Sequence, residues 1–135
     1  MVDRIWNPKL ILLFALYALM RVDLYLKFKG YQQTVEKVLK KDRLSIFAFL
    51  NYKESQVMDL VTLAWRLYPR KTMCLERSIH TAVVFKQMNL SCQVKLGVRK
   101  VPPRQFHAWA SKGNKVLTDS PGYVRRFHPL QVWKI

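Results

Sequence analysis

Apolar residues recur at helical spacing through the first two thirds of the chain. Residues 10–20, LILLFALYALM, are apolar without a break, which is typical of a helix buried between other elements. A later stretch repeats with the 3.6-residue period of one inner helix face: Val57, Leu60, Val61, Ala64 and Leu67. Gly30 and Pro69 act as stop signals. The pattern predicts helices over residues 9–28, 31–41, 44–50, 56–68 and 73–88.

After residue 89 the period changes from 3.6 to 2. In CQVKLGVR (92–99), every second residue is apolar, which indicates a half-exposed strand. A second strand is predicted in QFHAWAS (105–111) and a third over Lys115–Thr118, with a hairpin turn at Lys112–Asn114 between them. Residues 120–135 hold Pro121, Gly122 and Pro129. We predict mostly loop there, with a short final strand.

Helices first and an antiparallel sheet afterwards define an α+β fold. The chain has 135 residues, half of them apolar, which is enough for one domain with its own core. We expect a single domain over residues 1–135. Its helical N-terminal part spans residues 1–70, and the part that carries the chemistry spans residues 71–135.

The charge is strongly one-sided. The chain has 24 basic and 8 acidic residues, a formal net charge of +16, which attracts acidic polypeptides, anionic membranes or nucleic acid. No RNA-binding, zinc-finger or helix-turn-helix signature is present, so nucleic acid is not the expected partner. Two cysteines do not make a disulfide framework, and together with three histidines they lack the paired spacing of a zinc site. We expect no metal and no cofactor.

The apolar run near the N-terminus has a second interpretation. Its 11 residues fall short of the ~20 that cross a bilayer. No small-residue cleavage site follows before Arg21, which argues against a signal peptide. We expect a buried or interface helix in a cytoplasmic protein, and peripheral membrane contact is the alternative because the surface is basic.

Three residues form a candidate catalytic set. Cys74 is placed in the first turn of a helix, after Thr72 as a possible N-cap, and the helix dipole there favours thiolate over thiol. His107 lies mid-strand on the face of Trp109, and it could exchange a proton with the thiol. Asp119 ends the next strand and could orient the imidazole. It is the only acidic residue after Glu76.

Each of these residues also has a structural interpretation. A cysteine near a helix start is often a small buried hydrophobe, and an aspartate before Ser-Pro-Gly is often a turn residue. Cys92 lies on an apolar strand face and is expected in the core. His80 falls on a different face of the Cys74 helix, so it cannot pair with the thiol. His128 is an alternative base in a loop.

The motifs around these residues resemble a known family. The helix start CLERS (74–78), the strand GV (97–98), the strand HAW (107–109) and Asp119 stand in an order and spacing similar to the lasso-peptide leader peptidases. The apolar N-terminal helix followed by a basic stretch is similar as well, so the resemblance covers nearly the whole chain. One departure is PPR at 102–104, where family members carry a different linker.

The resemblance implies a papain/transglutaminase-like fold, with the catalytic cysteine at a helix N-terminus packed on a small antiparallel sheet. It implies a cysteine peptidase that removes the leader from a lasso-peptide precursor, with a triad of Cys74, His107 and Asp119. Arg77 and Trp109 are expected to contact substrate. The family's leader-binding module is not recognised in this sequence, so a separate leader-recognition protein is expected, together with an ATP-dependent macrolactam cyclase through which ATP could influence cleavage.

Two other functions stay open at this level. The same fold serves amidases and transglutaminases that act on another peptide, and their products would differ from a hydrolysed leader. A non-enzymatic basic protein that binds membrane or nucleic acid would show salt-dependent binding and no unusually reactive thiol.

Overall fold

A computed structural model describes residues 8–34, 53–69, 71–88, 90, 92–99, 105–112, 115–118 and 121–134. They form helices α1 (Pro8–Thr34), α2 (Glu54–Leu67) and α3 (Cys74–Gln87), strands β1 (Gln93–Arg99), β2 (Gln105–Lys112) and β3 (Lys115–Val116), the short helix α4 (Pro121–Val124) and strand β4 (His128–Lys134). The predicted α+β order of helices before an antiparallel sheet is confirmed. The predicted helix 44–50 and residues 35–41 of the predicted helix 31–41 lie outside the described residues.

Helix α1 breaks at the predicted stop signal. Gly30 has φ 79° and ψ 169°, a backbone conformation that only glycine adopts without strain, and residues 31–34 continue as helix beyond it. Upstream of the break, one face of α1 is buried and consists of Ile11, Ala15, Ala18, Leu19 and Val22. The predicted buried helix is therefore confirmed for this face. Within the described segments, no helix has the length and apolarity needed to cross a bilayer.

Helix α2 contributes a second set of buried apolar side chains to the helical core. Val57, Leu60, Val61 and Ala64 are buried as predicted, but Leu67 is 55% exposed, because it is the last residue of the helix. At the other end, Glu54 accepts hydrogen bonds from Lys112 and Lys115 at 2.8 and 3.5 Å. The bond from Lys112 lowers the pKa of Glu54 below its ordinary value, although burial opposes the shift. This contact ties the start of α2 to the β2–β3 hairpin.

Helix α3 is the central element. It packs against α1, α2, β1 and β2, and every residue from 78 to 87 except Lys86 is buried. A helix enclosed in this way needs internal partners for its polar side chains. The hydroxyls of Ser78 and Thr81 donate to the carbonyls of Cys74 and Arg77, at 2.7 and 2.8 Å. These bonds let polar residues lie within the core.

The prediction that Thr72 caps α3 is wrong. The N-cap residue is Met73, whose side chain makes no capping hydrogen bond. The hydroxyl of Thr72 instead accepts a hydrogen bond from Nε of Arg77 at 2.7 Å. Because α3 begins at Cys74, Thr72 lies one residue before the N-cap position, and its hydroxyl serves a charge-assisted bond instead.

The four strands form one antiparallel sheet with the order β3-β2-β1-β4. The predicted hairpin is confirmed, because Lys112 lies opposite Lys115 in the β2–β3 pair. The expectation of mostly loop after residue 120 is wrong, since α4 and the seven-residue strand β4 lie there. Pro129 is tolerated because β4 is an edge strand and because the β1–β4 register shifts beside it, between Leu96 and Gly97.

A buried histidine joins the three long helices. His80 of α3 has 0% exposure. Its Nδ1 accepts a hydrogen bond from Nε1 of Trp65 in α2 at 2.9 Å, and its Nε2 lies 2.7 Å from the carbonyl oxygen of Ala15 in α1. Because indole N–H only donates and a carbonyl only accepts, the ring must carry its proton on Nε2. A second proton, on Nδ1, would face the indole N–H.

Burial lowers the pKa of His80 to about 4, and the bond to the Ala15 carbonyl opposes this only in part. We therefore predict that the free energy of unfolding falls as the pH is lowered from 6.5 towards 4. In that window the unfolded chain binds a proton that the folded chain does not, so stability is complete above the unfolded pKa and is lost as the pH falls. The loss approaches about 3 kcal/mol, measured by urea unfolding across pH.

Two variants test whether this pH dependence of stability comes from His80 and not from other titrating groups. His128→Gln, at an exposed position, should keep the fall in stability. His80→Gln should start less stable and show a flatter curve over the same window. If the wild-type stability does not change between these pH values, the neutral buried ring is the wrong description.

Candidate active site

Cys74 is the first residue of α3 and is partly exposed. The preceding residue, Met73, is 62% exposed and has extended backbone, φ −95° and ψ 168°. Amide N–H groups in the first turn of a helix have no intrahelical partner, and here no N-cap side chain occupies them. The predicted position of the thiol at a helix start is therefore confirmed. An uncapped helix start can accept an anion, such as a thiolate or the oxyanion of a tetrahedral intermediate.

The backbone around Cys74 is held from inside the helix. The hydroxyl of Ser78, which has 0% exposure, donates to the Cys74 carbonyl. On the other side, Arg77 binds the hydroxyl of Thr72, two residues before the cysteine. Both contacts come from α3, so the position of Cys74 depends on how that helix packs in the fold.

Arg77 also joins this segment to the helical core. Its guanidinium lies over the ring of Trp65, 5.1 Å from the centroid, and the Trp65 N–H is the donor to His80. A cation above an indole face is a favourable electrostatic contact. These contacts position the residues before Cys74, and the predicted contact of Arg77 with substrate stays a prediction.

His107 lies in the middle of β2 within a group of aromatic rings. Trp109 stacks beside it at a centroid distance of 6.2 Å and an interplanar angle of 19°, which confirms that the two residues share a strand face. Tyr123 meets the imidazole edge-on at 5.0 Å, and Phe127 lies 5.1 Å away. Packing of this kind restricts the ring to few orientations. We call His107, Trp109, Tyr123 and Phe127 the aromatic cluster.

Tyr123 and Phe127 are site residues that the sequence did not reveal. They belong to α4 and to the bend before β4, a region predicted as mostly loop. The sequence offers one usable signal, an aromatic pair four residues apart between Gly122 and Pro129. That spacing is typical of one helical turn with both rings on the same side.

Strand β2 has a different environment on each face. Ala110 belongs to the hydrophobic core with residues of α3, whereas the alternation of the strand turns His107 and Trp109 to the opposite face. Trp109 is 2% exposed, so its indole serves as packing for the imidazole, and its predicted role in contacting substrate stays a prediction. Helix α3, which bears Cys74, packs against β2 on the Ala110 face, so this packing does not by itself bring the thiol to His107. That the two side chains meet stays a prediction as well.

Asp119 lies outside the described residues, so its place in the triad stays a prediction. The chain just before it is held against β2. The hydroxyl of Thr118 accepts a hydrogen bond from the Ala110 amide at 3.0 Å, and the Leu117 amide donates to the Ala110 carbonyl at 2.9 Å. Residue 119 follows directly from this attachment.

The other candidates have distinct environments. Cys92 is 2% exposed, as expected for a core residue, and burial raises the pKa of its thiol to about 12, so it is unsuited to nucleophilic chemistry. His128 is exposed at the start of β4. Among the described residues, no group of three His, Cys, Asp or Glu side chains could hold a metal ion.

Comparison with known proteins agrees with this architecture. A model of the transglutaminase-like superfamily matches residues 16–132, which is most of the chain and includes every element from within α1 to within β4. The chain therefore belongs to the transglutaminase-like superfamily, which generally contains cysteine-dependent enzymes. No curated protein and no solved structure matches it significantly.

Gly97 of β1 is required by the packing of the aromatic cluster. A Cβ atom at this position would lie 2.8 and 2.9 Å from two carbons of the Trp109 ring and 2.9 Å from the carbonyl oxygen of His128. Neither the indole nor the β4 backbone can yield at low cost. We predict that Gly97→Ala lowers the free energy of unfolding by about 1–3 kcal/mol and weakens the near-UV circular dichroism of the tryptophans.

Gly122→Ala is the matched control, because nothing lies within 4 Å of its added Cβ. Its stability should stay within about 0.5 kcal/mol of the wild type. Equal stability of Gly97→Ala and the wild type would show that β1 and Trp109 are not in the contact described.

Proposed function

We propose that this chain is a cysteine peptidase in which Cys74 is the nucleophile, His107 the acid–base group and Asp119 the residue that orients the imidazole. The thiolate sulfur of Cys74 attacks the carbonyl carbon of a peptide bond. When the carbon–nitrogen bond breaks, His107 gives the leaving amine its proton, and a thioester remains on the sulfur. Water, deprotonated by His107, then hydrolyses the thioester and releases the carboxylic acid and the thiol.

The observation that carries this proposal is a partly exposed cysteine at the uncapped start of the central helix of a transglutaminase-like domain. An interior cysteine would be unable to reach a peptide, as Cys92 illustrates. Cys74 is instead placed at a helix N-terminus, where the helix dipole and the first-turn amides favour negative charge on sulfur and on a tetrahedral oxyanion.

The proposed substrate is the leader region of a lasso-peptide precursor. Its support is the resemblance of CLERS (74–78), GV (97–98), HAW (107–109) and Asp119 to the leader peptidases, in that order along the chain. The resemblance also underlies the proposed partners, a separate leader-recognition protein and an ATP-dependent macrolactam cyclase, and the proposed cytoplasmic location. The net charge of +16 suits an acidic polypeptide partner.

A second function shares the first half of this reaction. A transglutaminase-like acyltransferase would form the same thioester on Cys74 but pass the acyl group to an amine. The superfamily match fits this function equally well at the level of the fold. The acceptor of the acyl group, water or an amine, is what separates the two.

The test uses the full chain with a lasso-peptide precursor and a leader-recognition protein identified among the reading frames next to its gene. We predict that wild type releases the leader, and that Cys74→Ala lowers the cleavage rate by at least about 1,000-fold. Cys92→Ala is the matched control and should keep the rate, because that thiol is buried away from the site. In ¹⁸O-labelled water, hydrolysis puts the label in the new C-terminal carboxylate.

Three results would count against the proposal. Cleavage that persists in Cys74→Ala removes the nucleophile assignment. An amide cross-link in place of a labelled carboxylate favours the acyltransferase. If the precursor stays intact with the wild-type chain and its partner, the leader-peptidase assignment is wrong.

A further inference from the structure

Helix α1 carries a second apolar face on the side away from the core. Six large apolar side chains there are exposed: Leu10 (41%), Leu13 (65%), Tyr17 (53%), Met20 (43%), Leu24 (45%) and Phe28 (72%). We call them the α1 stripe. With about 100° of rotation per residue, they fall within about 80° of the helix circumference. Contiguous apolar surface of this kind on a folded domain usually marks an interaction site.

The stripe lies outside the core that the described residues form. The buried face of α1, which includes Ile11, Ala15 and Val22, points in nearly the opposite direction by the same helix geometry. That face already packs against α2 and α3. Helix α1 is therefore apolar on two sides, and only one of them is satisfied by the described elements.

The spacing of the stripe matches the needs of a partner helix. Its members follow one another at intervals of 3, 4, 3, 4 and 4 residues, which is the repeat that keeps one seam of a helix facing another helix. The stripe is about 27 Å long, roughly five helical turns. A flat lipid surface requires an apolar face but no such seam.

The end of the stripe is shaped to receive a side chain. Leu24, Tyr25, Phe28 and Lys29 line an open hollow of about 210 Å³ with mostly apolar walls. A leucine or phenylalanine side chain from a docked helix would fill a hollow of this size, and a buried apolar anchor is the usual source of affinity at such interfaces.

The borders of the stripe are basic. Lys9 and Lys27 are exposed along one border, and Arg21 lies along the other with its guanidinium 5.9 Å from the Tyr17 ring centroid. The acidic residue of this helix points inward, because Asp23 is 7% exposed and accepts a hydrogen bond from the Tyr68 hydroxyl at 2.9 Å. The described surface of α1 therefore carries positive charge only.

The positive charge along both borders of the stripe favours an acidic partner over a basic one. A second copy would bring the same basic borders and another net charge of +16 to the interface, which is repulsive. A helix with acidic residues on either side of its apolar seam would be attracted. We infer that the α1 stripe is the docking site for an amphipathic helix of a partner protein, with aliphatic residues on its seam and Asp or Glu along its flanks.

The docking site does not depend on the proposed peptidase activity, so its test does not use cleavage. The probe is a fluorescent helical peptide of about 21 residues, with Leu on its seam and Glu on its flanks. A second peptide with Lys in place of every Glu is the matched probe. Because flanks of one charge repel each other, neither peptide self-associates strongly at neutral pH. Binding to the full chain is measured by fluorescence anisotropy at roughly physiological salt.

We expect the acidic peptide to bind at least about tenfold more tightly than the basic peptide. The double variant Leu13→Ser, Met20→Ser should lose this binding by at least about tenfold while its thermal unfolding is unchanged, because both positions are exposed. The charge reversal Lys9→Glu, Lys27→Glu should turn the preference towards the basic peptide. That exchange distinguishes flank recognition from general attraction to a basic protein.

Four outcomes would overturn the inference. Equal affinity for the two peptides, or no binding of either, would leave no role for the stripe as a helix seam. Sedimentation of the wild type, and not of the Leu13→Ser, Met20→Ser variant, with vesicles of phosphatidylglycerol and phosphatidylcholine would assign the stripe to a membrane. Self-association of the wild type that the same variant abolishes would assign it to a second copy.

Discussion

The position of α3 against the other helices depends on one buried, uncharged imidazole. His80 is enclosed completely, and its two ring nitrogens bind an indole of α2 and a carbonyl of α1. A buried polar group with both partners present adds specificity to the packing, and the same group with one partner missing would be costly. Because Trp65 also lies under the Arg77 guanidinium, the network extends to the residues just before Cys74. The helix start that bears the thiol is thereby fixed relative to the helical core.

A second packing constraint fixes His107, the other proposed member of the reacting pair. The imidazole of His107 packs against the other three rings of the aromatic cluster. The indole of Trp109 can stack beside it because β1 has no side chain at Gly97. The cluster draws on three elements, β2, α4 and the bend before β4. The orientation of a catalytic base would therefore be set by tertiary packing, and the helix and the sheet would each position one partner of the reaction.

The features that depend on local periodicity could be predicted from the sequence. The features that depend on competition between side-chain contacts could not. The helix spanning residues 73–88 and the buried thiol of Cys92 are confirmed, because regular apolar spacing reports burial directly. Thr72 was expected to cap that helix, but a charged side chain from the next turn takes its hydroxyl. Strand β4 was predicted only as a short strand in a region of loop, because Pro129 weakens the strand pattern, although an edge position tolerates it. The enclosure of His107 by Tyr123 and Phe127 could not be predicted, since it requires knowing where α4 lies.

The central claim is that the Cys74 thiol and the His107 imidazole act together. Its most direct test is the rate at which iodoacetamide alkylates Cys74 in the folded chain at neutral pH, followed by mass spectrometry of the peptide that carries it, in the wild type and in His107→Ala. If the imidazole assists the sulfur, the rate at Cys74 falls by at least about tenfold in the variant, while buried Cys92 reacts slowly in both. Equal rates at Cys74 in the two folded proteins would contradict the account.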